Sequence, residues 1–172
     1  GVRRAHLVHR KLDGALLREL FSRDGVGTLV TTEAFEGMRS AHMRDVPGLL
    51  ALLEPLEEKG ILVNRTKEML ERDVHRFVVI ERDGMIVGCA AIYPYAEEKM
   101  AEIACVAVHP TYQGTGRGDQ MIEYCERLCK EQGVERIFVL TTQTSHWFRE
   151  LGFAPSNVRA LPKVRRASYD KR

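Results

Sequence analysis

Three glycines at alternating positions give this sequence its clearest chemical signature. The segment Gln113-Gly-Thr-Gly-Arg-Gly118 follows a strand-like apolar run and leads directly into a stretch with helical apolar spacing. Glycine lets the main chain approach a ligand closely and adopts positive φ angles at little steric cost. The N–H groups at the start of a helix carry partial positive charge and attract phosphate. The pattern therefore predicts a loop that binds a pyrophosphate group.

Cysteine chemistry is the second possibility that the residue types raise. The chain has four cysteines, at positions 89, 105, 125 and 129, and none of them forms a Cys-x-x-Cys pair. Cys125 and Cys129 lie four apart on a predicted helix without a nearby histidine, so the spacing does not favour a metal site. We expect no metal, and reduced thiols of the kind found in cytoplasmic proteins.

The elements around the glycine loop are predicted to form one domain, residues 34–172. Asp83-Gly84 separates two apolar runs, which is a strong hairpin signal. The order β-α-α-β-β-β-α-β-α-β predicts an α/β (α+β) fold, a mixed sheet with helices on its faces. Strands are expected at 35–41, 76–81, 86–93, 100–109 and 136–142, with a final strand or extended segment from 153 onward. Helices are expected at 46–59, 66–74, after the glycine loop and at 145–151.

Two of the predicted helices have clear apolar faces. Asp45 is expected to cap the first helix and Gly60 to end it. Leucines 49, 50, 52, 53 and 56 line one side of this helix. The helix after the glycine loop carries an apolar stripe at helical spacing, formed by Met121, Ile122, Cys125, Leu128 and Cys129.

Residues 1–33 are predicted to be a separate segment. They contain one short amphipathic helix at 13–21 and one strand at 28–32. These two elements cannot bury a core alone. The segment is therefore expected to pack on the main domain, on another copy or on a missing part of a longer protein. The opposite end, residues 162–172, is basic and low in apolar residues.

The overall composition limits the classes of partner. The chain has 172 residues, with 26 basic and 24 acidic side chains and a formal charge of +2, so we expect no strong attraction to nucleic acid. No apolar run approaches the roughly 20 residues that a membrane helix needs, and no secretory signal opens the chain. The expectation is a cytoplasmic protein without a nucleic-acid or membrane partner.

The glycine loop and the element order resemble the GNAT family of N-acetyltransferases. Their acyl-coenzyme A signature, Gln/Arg-x-x-Gly-x-Gly/Ala, matches residues 113–118, and the resemblance covers residues 35 to about 160. It implies the GNAT fold, with a mostly antiparallel sheet, and acetyl-CoA as cosubstrate. The residues implied to hold the cosubstrate are Gln113, Gly114, Thr115, Gly116, Arg117 and Gly118 at its pyrophosphate, and Cys105, Val106, Ala107 and Val108 along its pantetheine.

Longer runs are similar to the bacterial amino-acid N-acetyltransferases of arginine biosynthesis, the N-acetylglutamate synthase family. These runs are residues 54–63, 77–84, 102–110 and 138–142. Residues 1–33 resemble the end of an amino-acid-kinase-like domain, which precedes the acetyltransferase domain in that family and holds an arginine site. The resemblance implies a full-length protein that is a homo-oligomer, with arginine as effector of the missing domain.

The reaction implied by the resemblance is acetyl transfer from acetyl-CoA to the α-amino group of L-glutamate. The amine must lose a proton before it attacks, and Glu102 matches the family's proposed base. The alternative is a structural carboxylate satisfied by a backbone amide or an arginine. A backbone N–H near Cys105 and Val106 is implied to stabilise the oxyanion.

Thr141 matches the residue that protonates the departing thiolate in the family. Its neighbour Thr142 is a rival, because successive residues of a strand point to opposite faces. A threonine chosen only for its strand propensity is the remaining alternative.

Glutamate brings two carboxylates, which need fixed cations. Arg65 matches a substrate-binding arginine of the family, and its alternative is a solvated arginine beside a helix. Cys105 is implied to border the substrate, but not to act as a nucleophile, because no basic residue flanks it. In the family, further contacts with the substrate carboxylates come from an Arg-x-Ser segment near the C-terminus. This chain ends with residues 169–172, and we expect that end to lie just short of the segment.

Two other functions remain open at this stage. The same fold could acetylate a different amine, such as a protein or a polyamine, although an acidic acceptor groove would then be expected. The domain could also bind coenzyme A as a sensor without turnover.

Overall fold

The computed structural model describes residues 2–22, 24–32 and 34–169, and the chain divides into two compact units, Gly1–Gly37 and Met38–Arg172. The first unit contains β1 (Arg4–Leu7), α1 (Ala15–Phe21) and β2 (Thr28–Thr31), with β1 and β2 antiparallel. The helix and β2 were predicted, whereas β1 was not. Leu7 and Arg4 pair with the ends of β2, so the unit is a two-stranded ribbon with one helix.

A buried carboxylate organises the turn of this first unit. Glu19 on α1 accepts N–H bonds from Val26 and Gly27, both at 2.7 Å, and a bond from His6 Nδ1 at 2.5 Å. The hydrogen bond from His6 and those from the two amides lower the pKa of Glu19 to about 2. Gly25 has φ +61°, which favours glycine, and a Cβ there would also crowd the Glu19 carboxylate.

The second unit is a five-stranded sheet with helices. Its order is β3-β4-β5-β6-β7; β4–β5 and β5–β6 are antiparallel and β6–β7 is parallel. This is the predicted mixed, mostly antiparallel sheet. Its elements are β3 (Glu36–Ser40), α2 (Val46–Glu58), α3 (Lys67–Asp73), β4 (Phe77–Arg82), β5 (Met85–Tyr95), β6 (Met100–Val108), α4 (Arg117–Glu131), β7 (Arg136–Phe138), α5 (Ser145–Glu150) and α6 (Lys163–Tyr169).

The sheet has an apolar cluster on each face. Alternate residues of β4 divide between the two, with Val79 in one cluster and Val78 and Ile80 in the other. The leucines of α2 pack in the first cluster, together with Leu70 of α3. The predicted stripe of α4 packs in the second, where Met121, Ile122, Cys125 and Cys129 are fully buried and Leu128 is partly buried.

Two predicted features are wrong, and a third is wrong in part. Asp45 does not cap α2 with its side chain; its carboxylate accepts the His42 N–H at 2.7 Å and pairs with Arg39 at 2.6 and 2.8 Å. Strand β7 ends at Phe138 rather than at residue 142, because its pairing with β6 stops there. From residue 153 onward a final strand or extended segment was expected. Within the described residues, 153–157 form no regular element, as the extended alternative allows, whereas a turn at Val158–Ala160 and the helix α6 follow instead of a strand.

Helix α6 lies in the tail whose composition suggested no element. Pro162, just before the helix, is fully buried. The Lys163 N–H donates to Glu98 Oε1 at 3.1 Å, and Arg165 pairs with Glu102 on β6. Tertiary contacts rather than an apolar pattern therefore hold this helix in place.

Candidate active site

A split in the sheet begins beside the predicted base. Strand β6 has nine residues, but β7 pairs with Met100, Ala101 and Glu102 alone. From residue 103 onward this edge of β6 has no strand partner within the described part of the chain. Its free N–H and C=O groups can bond an extended ligand as a further strand would.

A β-bulge at Cys105 coincides with the split. The β5–β6 register passes from Ala91 opposite Ala104 to Cys89 opposite Ala107, so Cys105 and Val106 together face one residue. Cys105 has φ +54°, an uncommon value for a residue other than glycine. Because bulges bend a strand and re-aim its groups, this one gives residues 105–108 an orientation different from that of residues 100–104.

Glu102 is buried and bonded by two neighbours. Its exposure is 6%. Arg165 donates from Nε to Oε2 at 2.6 Å and from Nη2 to Oε1 at 3.0 Å, and the Tyr95 hydroxyl donates to Oε2 at 3.3 Å. Burial, followed by the Glu102 charge, raises the pKa of Tyr95 to about 12, so this phenol stays protonated and can donate.

Arg65 and Cys105 lie in the same electrostatic neighbourhood as Glu102. Tyr93 is the direct partner of Glu102 across β5 and β6 and is hydrogen-bonded to Arg65. Burial raises the pKa of Tyr93, while Arg65 opposes the shift. Burial also raises the pKa of Cys105 to about 11, with Arg65 lowering and Glu102 raising it. The Cys105 thiol is therefore neutral near pH 7, as expected for a residue that is not a nucleophile.

The Arg65 guanidinium is half-buried and bonded to uncharged groups, Tyr93 among them. It donates to the Val63 carbonyl at 3.0 Å, and its backbone N–H donates to Glu57 at 3.1 Å. Its side chain has no ion pair with a carboxylate among the described residues. An anionic group could therefore bind it without displacing a protein carboxylate.

The glycine loop follows β6 and starts α4. Gly114 and Gly116 have φ angles of +73° and +76°, and a Cβ on either would meet nothing within 4 Å. Gly116 is the N-cap residue of α4, so the N–H groups of the first turn have no partner within the helix. The positive φ angles, the open space and the amide groups at the start of a helix suit a diphosphate.

Side chains of the loop fix its shape. Gln113 donates from Nε2 to the Val108 carbonyl at 2.8 Å, which attaches the loop to the end of β6. The Thr115 hydroxyl donates to the Tyr112 carbonyl at 2.9 Å, and Arg117 bonds Thr115 while stacking over Tyr112. Gln113 and Thr115 therefore shape the loop.

Gly118 has a packing role that the sequence did not reveal. A Cβ there would lie 3.0 Å from Cζ2 of Trp147 on α5. The indole N–H donates to Asp119 Oδ1 at 2.8 Å, which holds the ring against the start of α4. The third glycine of the motif therefore permits helix–helix contact.

Thr141 lies in the loop between β7 and α5, not on a strand as predicted. Its Oγ1 accepts the Thr144 N–H at 3.1 Å and lies 2.8 Å from Thr144 Oγ1. Thr141 is partly buried and Thr142 is exposed. If the Thr144 hydroxyl donates, the Thr141 proton remains free for another acceptor.

The structure thus brings the predicted residues Glu102, Cys105 and Arg65 into one neighbourhood, and the glycine loop follows the C-terminal end of β6.

The sequence did not predict the roles of Arg165, Tyr93 and Tyr95 in this site. The tyrosines had a visible signal, since they alternate on the strand opposite Glu102. For Arg165 the only signal was a basic tail. The family's C-terminal Arg-x-Ser contacts were expected just beyond residues 169–172, and residues 170–172 themselves lie outside the described part of the chain.

Two further kinds of site are absent from the part of the chain that the structure describes. No helix there is long and apolar enough to cross a membrane. No cluster of three or more His, Cys, Asp or Glu side chains able to hold a metal was found in the same part of the chain, and all four cysteines are free.

Known proteins resemble this chain along nearly its whole length. Amino-acid acetyltransferases from Pseudomonas putida and Azotobacter vinelandii are each 54% identical over 170 residues, which is 99% of this chain and 39% of theirs. The chain therefore spans about two fifths of the length of these relatives.

Solved structures show the same relationship. N-acetylglutamate synthase from Neisseria gonorrhoeae, complexed with coenzyme A and L-arginine, has a TM-score of 0.89 and 40% identity over 99% of this chain and 39% of its own. The same enzyme complexed with coenzyme A and N-acetyl-glutamate has a TM-score of 0.77 and 42% identity, over 99% of this chain and 40% of its own. The family model for the acetyltransferase (GNAT) family matches residues 35–153. This chain belongs to the acetyltransferase (GNAT) family.

Proposed function

We propose that this chain transfers the acetyl group of acetyl-CoA to the α-amino group of L-glutamate, the first step of arginine biosynthesis. The observation that carries the proposal is the open edge of β6, which runs from buried Glu102 to the glycine loop. The relatives support the acceptor, since one is an N-acetylglutamate synthase complexed with coenzyme A and N-acetyl-glutamate.

Coenzyme A fits this edge by its chemistry. The diphosphate would be held by N–H groups of residues 114–118, and the pantetheine arm by the main chain of residues 106–108 beyond the bulge. Bound there, the thioester supplies an activated acetyl group beside Glu102. Gln113, Thr115 and Arg117 would keep the loop in its binding conformation through the bonds to Val108 and Tyr112.

The residues of the site can then divide the proton transfers. Glu102 accepts a proton from the substrate ammonium, directly or through water, and the neutral nitrogen attacks the thioester carbon. A backbone N–H near Cys105 and Val106 stabilises the oxyanion. The new C–N bond replaces the C–S bond. The nitrogen gives up its second proton as the intermediate collapses, and Thr141 relays a proton to the departing thiolate while its own hydroxyl regains one from the nitrogen, directly or through water. Arg65 binds one substrate carboxylate, and Cys105 borders the substrate.

The first unit and the longer protein form a second part of the proposal. Residues 1–33 are the end of an amino-acid-kinase-like regulatory domain, and residues 34–172 are the acetyltransferase domain. The apolar residues of α1 support this, because Leu16, Leu17, Leu20 and Phe21 are 63–84% exposed. The full-length protein would be a cytoplasmic homo-oligomer, with arginine as effector of the domain absent from this chain.

One observation favours a different function. Both oxygens of Glu102 are already bonded to Arg165, which is also the geometry of a structural carboxylate. A Glu102 carboxylate bonded in this way to Arg165 is also compatible with a domain that binds coenzyme A without turnover. It is equally compatible with an acetyltransferase for another amine.

The deciding experiment is a thiol-release assay on acetyl-CoA with a panel of free amino acids. We expect release with glutamate well above that with aspartate, glutamine and lysine. Glutamine and lysine lack the second carboxylate, and aspartate holds it one methylene closer to the amine, out of register with cations placed for glutamate. A different preferred amine would refute the acceptor, and no release from any amine, despite coenzyme A binding in a titration, would favour the sensing function.

A further inference from the structure

We propose that Arg165 is a positioning residue for Glu102: it fixes the carboxylate and leaves Oε1 as the oxygen that receives the substrate proton. This inference rests on the proposed function, since it assigns an atom to the base. It also places α6, which lies outside the residues matched by the family model, in the catalytic apparatus.

The geometry of the pair is the first argument. The Arg165 and Glu102 side chains are 17% and 8% exposed, and two parallel N–H···O bonds join them. A bidentate pair fixes the plane of the carboxylate as well as its position, because a guanidinium is rigid and planar. The residues are 63 positions apart, so only folding of α6 against β6 brings them together.

The number of hydrogen bonds that each oxygen of Glu102 accepts gives the second argument. An ionised carboxylate offers about four acceptor positions, two on each oxygen. Oε2 accepts from Arg165 Nε and from the Tyr95 hydroxyl, whereas Oε1 accepts, among the described residues, from Arg165 Nη2 alone. Of the four positions, the remaining one is on Oε1. A proton or a water molecule can therefore reach Oε1 without breaking any of the three bonds.

Charge gives the third argument. The titratable groups of Tyr93, Tyr95 and Cys105 beside Glu102, and the charges that act on these three, are two uncharged tyrosines, one neutral thiol, further arginines and two carboxylates. They are Tyr93 and Tyr95 on β5, Cys105 on β6, Arg65 after α2, Arg76 before β4, Glu57 on α2 and Asp73 on α3. Arg165 is the cation in direct contact with the carboxylate.

The test compares Arg165→Met and Arg165→Lys with Arg166→Met, a matched control at the next position of α6. The pH profile of kcat/KM for glutamate is measured for each variant. In Arg165→Met we expect kcat to fall about 10- to 100-fold, which is less than the 10²–10⁴-fold that a general base contributes. The acid limb should move to higher pH, because a carboxylate without its cation is protonated more easily.

The other variants separate charge from geometry. Arg165→Lys keeps the charge but not the fork, so its acid limb should stay near that of the wild type while kcat remains low. Arg166→Met should change neither. Adding Arg165→Met to Glu102→Gln should cause little further loss, because both act on one carboxylate.

A measurement that does not depend on catalysis separates failure of this inference from failure of the proposed function. Carboxyl-labelled glutamate allows Glu102 to be titrated by NMR in wild type and in Arg165→Met, whether or not any amine is acetylated. A midpoint at higher pH in the variant supports the pairing role. Identical midpoints, or an unchanged kcat profile with only a lower Tm, would overturn the inference and make the pair structural.

Discussion

The indole of Trp147 packs so closely on Gly118 that a larger side chain at position 118 would contact it. The distance from Cζ2 of its indole to a Cβ built on Gly118 is 3.0 Å, and the ring is held in place by its N–H bond to Asp119. The glycine motif at the start of α4 therefore combines two requirements, an open loop for a ligand at Gly114 and Gly116 and a close helix contact at Gly118.

The first prediction tests this contact. Gly118→Val should lower the free energy of unfolding by about 1–3 kcal/mol, because added methyl groups must displace the indole. Chemical denaturation measures the change. Gly37→Val is the control, since a Cβ at exposed Gly37 meets nothing within 4 Å and strands tolerate valine. Equal stability of the two variants would show that Trp147 yields freely.

The second prediction compares two glycines with the same backbone. Gly116 and Gly133 both have φ +76° and open space around a Cβ, at opposite ends of α4. Alanine at either should cost about 1 kcal/mol of stability, because positive φ is strained for other residues. Only Gly116→Ala should weaken coenzyme A binding, by about tenfold or 1.4 kcal/mol. Calorimetric titration decides, and equal affinities for the two variants would contradict a diphosphate site at the loop.

The third prediction concerns Glu102. Glu102→Gln should lower kcat for glutamate by about 10²–10⁴-fold, because an amide cannot accept the ammonium proton. The Kd for coenzyme A should change little. Steady-state kinetics with a parallel titration separate the two effects, and Glu97→Gln, an exposed turn residue, is the matched control. Retained turnover in Glu102→Gln would assign the carboxylate a structural role.

The fourth prediction distinguishes the two threonines. Thr141→Val should reduce kcat by about tenfold or more, because the thiolate loses its proton donor, while exposed Thr142→Val should leave it unchanged. Replacing the thiol of coenzyme A by a leaving group of lower pKa should restore much of the rate in Thr141→Val. A loss of stability without a kinetic change would instead indicate that Thr141 serves only to bond Thr144.

The fifth prediction concerns the Arg39–Asp45–Glu81 network. Arg39 joins both carboxylates, and its hydrogen bonds lower the pKa of Asp45. Because the folded pKa lies below the unfolded value, the stabilisation is present above about pH 4 and is lost as the pH falls through the folded pKa. Asp45→Asn should cost about 1–3 kcal/mol at pH 7 and flatten this acid dependence.

Denaturation at several pH values measures the fifth prediction. Glu135→Gln breaks the exposed pair with Lys99 and should cost less than about 1 kcal/mol. If Asp45→Asn matched this control at every pH, the buried network would contribute no more than a surface pair.

The order of elements and the site loop could be predicted because their signals are local. Periodic apolar residues define α2 and α4, Asp83-Gly84 defines the β4–β5 turn, and alternating glycines define the loop. Each depends on residues within a few positions of one another. The family, the mixed sheet and the location of Glu102 on β6 therefore followed from the sequence.

Only the tertiary structure decided which groups surround Glu102. Arg165 comes from a helix that has no apolar signature, and its contact spans 63 positions. The early end of β7, which moves Thr141 into a loop, depends on where the parallel pairing with β6 stops. Ion pairs and strand ends of this kind depend on distances between remote segments, and side-chain periodicity carries no information about those distances.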